Sequence, residues 1–105
     1  MALRWSDPAI EDLQRIHGYI ACDSIAQAER VVRALLRAAE GLVVLPFTGH
    51  SSKDVVGARE RPLSRWPYTL IYLVRADHRP DGGEADIAIM RVLGPGQQLA
   101  PATLG

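Results

Sequence analysis

The sequence predicts an α+β domain: a helical hairpin packed on a three- to four-stranded antiparallel sheet, in the order β-α-α-β-β-β. Three observations carry this. Apolar residues recur at helical spacing through the first half of the chain, and after Pro46 the pattern changes to β-branched and aromatic runs. Only two or three residues separate the two helical patterns, so the helices form an antiparallel hairpin. Helices and strands are segregated rather than alternating, which places both helices on one face of the sheet.

The elements follow in order. "ALRW" is short and reads as a strand. "SDPAIEDLQRIHGYIA" reads as a helix, with Asp7 as N-cap, Pro8 at the first helical position, and Glu11 and Asp12 near the positive end of the dipole. Ile10, Leu13, Ile16 with His17, and Ile20 give it one apolar face. "DSIAQAERVVRALLRAAEGLVVLP" reads as a longer helix opened by a Ser24–Gln27 capping box. Ala28, Val31 with Val32, Leu35, Ala39 and Leu42 form its apolar stripe, while Arg30, Arg33, Arg37 and Glu40 face outward as a solvated surface. Pro46 and Gly49 stop the helix.

"FTGHSSKDVVG" is then a polar loop, and "ARERPLSR" a weak strand in which Pro62 marks an edge or a bulge. "YTLIYLVRA" and "IAIMRVL" are strands, joined by the turn "DHRPDGGEAD". Residues 1–94 form the single domain, and 95–105, within "GPGQQLAPATLG", a tail. On the first of these strands Tyr68, Leu70 and Tyr72 share one side and Thr69, Ile71 and Leu73 the other. On the second, Ile87, Ile89 and Arg91 share a side. One sheet face meets the helices, and the opposite face is left to solvent or a partner.

A chain of 105 residues makes one domain with one core. Net charge is zero, so bulk charge indicates no nucleic-acid or membrane partner. Charge is uneven, however: Lys53 to Arg75 holds five basic residues against two acidic ones. No apolar run approaches the ~18–20 residues of a membrane span, and "MALRWSD" lacks a signal-peptide core. The single Cys22 reads as a small buried residue near a helix end and excludes an internal disulfide. A cytoplasmic location is the default expectation. His17, His50 and His78 are widely separated, so no metal site is expected, and "GPG" is no phosphate loop, so neither is a cofactor.

The remaining candidate chemistry is "RERPLSRWPYTLIYLV". Three of the chain's six aromatic residues stand here, Trp66, Tyr68 and Tyr72, preceded by Arg59, Arg61 and Arg65. With Arg91 from the neighbouring strand, these residues allow two readings. The tyrosines are sheet core and the arginines solubilise an edge, or together they form a surface that holds phosphate and stacks bases.

In sum the chain resembles the RelE/ParE superfamily of type II toxin–antitoxin toxins, and the ParE branch more closely. Ala9, Asp12, Leu13, Ile16, Tyr19 and Ile20 are similar to the opening-helix pattern. The second helix has a similar Pro46–Gly49 exit; Arg61, Leu63, Tyr68, Leu70 and Tyr72 match the strand-pair pattern, and "IAIMRVL" the last strand. The resemblance implies a cytoplasmic toxin, neutralised by a cognate antitoxin in a hetero-oligomer and reaching DNA only through that antitoxin. In the ParE branch it implies inhibition of DNA gyrase. In the RelE branch it implies a ribosome-dependent mRNA endoribonuclease, with Arg61, Arg65 and Arg91 as phosphate and transition-state contacts. A weakened toxin that only binds antitoxin is a third implication. Gly94 stands where the family usually has His, and the tail holds no Tyr, Lys or Arg, which favours the ParE branch. The partner-binding residues expected are Arg59, Arg61, Arg65, Tyr68, Tyr72 and Arg91.

Overall fold

The computed structural model describes residues 3–53, 55–75 and 86–95. The expected 77–86 turn, except Asp86, and the tail beyond Pro95 lie outside these residues. Two helices, α1 (Asp7–Ala21) and α2 (Ile25–Val44), pack on a five-stranded sheet. Its strands are β1 (Leu3–Trp5), β2 (His50–Ser51), β3 (Arg59–Pro62), β4 (Thr69–Arg75) and β5 (Asp86–Leu93), in the spatial order β1-β5-β4-β3-β2.

The helical hairpin forms as its spacing predicts. Ser24 Oγ caps α2 by accepting from the Gln27 N–H at 3.1 Å. Ala28, Val31, Leu35, Ala39 and Leu42 are all buried, as the stripe requires. On α1 the N-cap is Ser6 rather than Asp7. Ser6 Oγ accepts from the Ala9 N–H and donates to Met90 O, so one hydroxyl fastens the helix start to β5. The buried face of α1 is Ala9, Asp12 and Ile16, with Leu13 and Ile20 packed beside it, while Ile10 is exposed. Cys22 is exposed at the α1 C-cap, where its thiol donates to Gly18 O, and is not the buried residue expected.

The sheet differs from the expected purely antiparallel one in two ways. β1 adds at the far edge parallel to β5, pairing Leu3 to Ile87 and Trp5 to Ile89. β2 adds two residues opposite Arg59 and Glu60, inside the stretch expected to be loop. The helix-side core holds Leu70 and Tyr72 of β4 with Ile87, Ile89 and Val92 of β5. The opposite face is partly covered: Ile71 and Ala58 are buried there, with Val55, Leu73 and Leu93 around them. The segment that covers it turns back through Gly57 at φ 89°, a conformation open to glycine.

A β-bulge shifts the β4–β5 register between Ile71 and Tyr72, so that Ile71 opposes Arg91 and Tyr72 opposes Ile89. The extra residue reverses the alternation along β5. Val92 therefore joins Ile87 and Ile89 in the core, and the Arg91 guanidinium reaches Asp12 of α1.

Gly49 sits where β2 begins against β3. A Cβ there would lie 2.2 Å from the Glu60 backbone oxygen and 2.8 Å from Tyr72 Oη. Backbone cannot swing aside as a side chain can. Gly49→Ala is expected to destabilise by about 1–3 kcal/mol, read as a lower urea midpoint at unchanged slope.

Candidate functional site

The residues singled out in the sequence fall into three settings. The first is a groove of about 700 Å³ between α2 and the β3–β4 connection, lined on one wall by Arg30, Arg33 and Arg37 and on the other by Arg61 and Arg65. The α2 arginines stand at i, i+3 and i+7, one exposed helical face. Arg61 ends up facing them because β3 is the last strand of any length at that sheet edge. Its guanidinium donates to Pro62 O, and that of Arg65 lies 5.8 Å over the Trp66 ring. Among the described residues no carboxylate lines the groove, and none of the five guanidiniums forms an ion pair. Five cations on one concave surface concentrate positive potential there although the whole chain is neutral.

The second setting is the loop that leaves α2. Tyr72 is fully buried; its hydroxyl donates to Pro46 O at 2.8 Å and accepts from the Gly49 N–H at 3.2 Å. Arg59 holds the same loop from outside, donating to Gly49 O and lying 5.0 Å over the Phe47 ring. Both residues fasten the α2–β2 connection. Tyr72 follows the packing reading of the sequence and offers no accessible surface. Tyr68 is half-buried and packs on the core edge beside Trp66, with its backbone closing the β3–β4 turn.

The third setting is Arg91. Its Nε donates to Asp12 Oδ2 at 2.8 Å and a terminal nitrogen to Oδ1 at 3.1 Å. The Val92 N–H at 2.9 Å and Arg15 at 2.9 Å complete four donors to one carboxylate. Asp12 is 2% exposed, the one buried charged side chain among the described residues. Burial pushes its carboxyl up, but the hydrogen bonds from Arg91, Val92 and Arg15 outweigh this and hold it below the ordinary aspartate range. A group with a depressed folded pKa adds stability above its unfolded pKa of about 3.9 and loses it as pH falls through the folded value. Acid destabilisation between about pH 5 and pH 2 is therefore expected to be shallower in Asp12→Asn than in the parent chain, measured by urea unfolding across that range.

The structure thus brings Arg61 and Arg65 together and separates them from Arg59, Tyr72 and Arg91. Sequence reasoning missed Arg30, Arg33 and Arg37 as site residues. The available signal was their shared helical face; the facing wall is a tertiary fact.

The fold is that of a small α+β domain, in which a helical hairpin covers one face of a mostly antiparallel sheet. Residues 3–98 match the family described as the ParE toxin of the type II toxin–antitoxin system parDE, and the chain belongs to that family. It is similar to a solved chain of the chromosomal ParDE toxin–antitoxin system from P. aeruginosa, with 26% identity and a TM-score of 0.70 over 90% of this chain and 95% of that one. No curated protein matches the sequence significantly. Among the described residues no helix is long and apolar enough to cross a membrane.

Proposed function

We propose that this ParE-family chain is a cytoplasmic toxin that binds and is silenced by a cognate antitoxin and, once released, inhibits DNA gyrase by protein–protein contact. The observation that carries the reading is the family match across residues 3–98. The setting of Arg91 supports it over messenger-RNA cleavage. Its Nε and one terminal nitrogen are turned to Asp12, and its side chain is only 20% exposed. A ribonuclease needs such a group aimed at the developing phosphorane charge.

The test is induction of the chain alone in bacteria, with DNA and protein synthesis followed separately, and then co-expression with the small gene beside it. DNA synthesis is expected to fall first, with filamentous cells, and the neighbouring gene is expected to restore growth. Early arrest of protein synthesis with cut messenger RNA would overturn the gyrase reading.

A further inference from the structure

Three of the groove arginines are arranged at a cost to their own helix. Arg30, Arg33 and Arg37 stand three and four residues apart on α2, spacings at which like charges repel. Carboxylates stand in reach to offset this. Glu29 precedes Arg33 by four residues and Glu40 follows Arg37 by three, both spacings that allow an ion pair along a helix. Neither pair forms. The three guanidiniums line the groove instead, with Arg61 of β3 and Arg65 of the β3–β4 connection, and neither glutamate lines it. Arg61 has only the Pro62 backbone oxygen as a partner and Arg65 the Trp66 ring, so neither is neutralised. Positive charge is thus gathered around about 700 Å³ of open space, a volume in the range of small-molecule sites.

We propose that this groove binds a small ligand carrying two or more linked phosphate groups, held by the guanidinium forks that line it. A phosphate places up to two negative charges and three acceptor oxygens on one centre, and an arginine fork meets it bidentately. A lone phosphate or carboxylate engages one or two forks and leaves the others repelling. Linked phosphates engage several at once. The source is a nucleotide or a bare phosphate chain; a base would find the Trp66 ring and the Arg65 guanidinium plane beside the phosphates. A nucleic-acid strand matches less well, because the sequence pI is near 6.8 and domains that bind such strands are basic overall. The proposal goes beyond gyrase inhibition and does not rest on it.

Isothermal titration calorimetry of the purified chain tests it, in magnesium-free buffer at about 0.15 M salt. The probes are ATP, sodium tripolyphosphate, AMP, inorganic phosphate and citrate, with a short DNA duplex and a single-stranded RNA beside them. ATP and tripolyphosphate are expected to bind once per chain, to weaken as salt rises, and to exceed AMP, phosphate and citrate by about tenfold or more. ATP well above tripolyphosphate assigns the source as a nucleotide, and equal binding assigns a phosphate chain. Arg33→Gln with Arg37→Gln, both exposed on α2, is expected to weaken tripolyphosphate by about tenfold or more while leaving the thermal melt of the ligand-free chain unchanged. Arg4→Gln with Arg75→Gln removes the same charge from exposed positions outside the groove and is expected to change binding by less than about twofold. Citrate or single phosphate equal to tripolyphosphate, equal losses in the two double variants, or tighter binding of the duplex or the RNA would each overturn the proposal.

Discussion

Asp12→Ala is expected to lower the unfolding free energy by about 3–5 kcal/mol, the range for breaking a buried ion pair from one side. The carboxylate accepts from two nitrogens of Arg91, from Arg15 and from the Val92 N–H. It ties the middle of α1 to the bulged part of β5, two elements joined by no other ion pair among the described residues. Its removal strips the Val92 N–H of its acceptor and leaves the Arg91 charge mostly enclosed. The Arg15 contact adds little, because Arg15 is half exposed and water replaces its partner. Arg91→Ala is expected to destabilise for the reciprocal reason, by leaving the carboxylate buried. The double variant should lose less than the sum of the singles, since each single removal has already broken the pair. Urea unfolding at neutral pH checks all three. An Asp12→Ala loss below about 1 kcal/mol would show that the pair is worth no more than a surface contact. One consequence reaches function: any loss of toxicity in Arg91→Ala has to be corrected for loss of fold.

The second large effect is at Tyr72. Tyr72→Ala is expected to destabilise by about 3–5 kcal/mol, because a fully enclosed ring leaves a cavity that the sheet and helices cannot close. Tyr72→Phe separates the hydroxyl from the ring. It keeps the packing and orphans Pro46 O and the Gly49 N–H, for an expected loss of about 1–3 kcal/mol. Hydrogen exchange at Gly49 should accelerate in the phenylalanine variant even where global stability remains high, since the α2–β2 connection loses an internal anchor. Arg59, which donates to the Gly49 carbonyl, would remain as the side-chain contact to that glycine. If Tyr72→Phe leaves both stability and Gly49 exchange unchanged, the hydroxyl does not fasten the loop.

These two residues also show where sequence reading stops. The α2 stripe was legible because a 3.6-residue period is a local property, and Ala28, Val31, Leu35, Ala39 and Leu42 needed no knowledge of their neighbours. β4 and β5 were legible from β-branched runs. Asp12 was placed only near the helix dipole, since the arginine that makes its burial tolerable is 79 residues away. The bulge in β5 has no local signature, so strict alternation missed that Val92 joins Ile87 and Ile89 in the core. β1 was expected as a strand, but its parallel pairing with β5 joins the two ends of the domain and depends on contacts no short window contains. The two-residue β2 is defined only by its partner β3. Of the five arginines of the candidate site, two were visible: Arg61 and Arg65 stood out as a basic stripe, while Arg30, Arg33 and Arg37 looked like any solvated helix face. What converts them into a wall is the folding of β3 opposite α2.

The most direct test of the account is a supercoiling assay with purified gyrase and the purified chain, run with a parallel assay for DNA cleaved and trapped on the enzyme. The account predicts loss of supercoiling together with accumulation of cleaved DNA, both in proportion to the amount of chain added. Undiminished supercoiling with no trapped cleavage, from a chain shown to be folded, would contradict it.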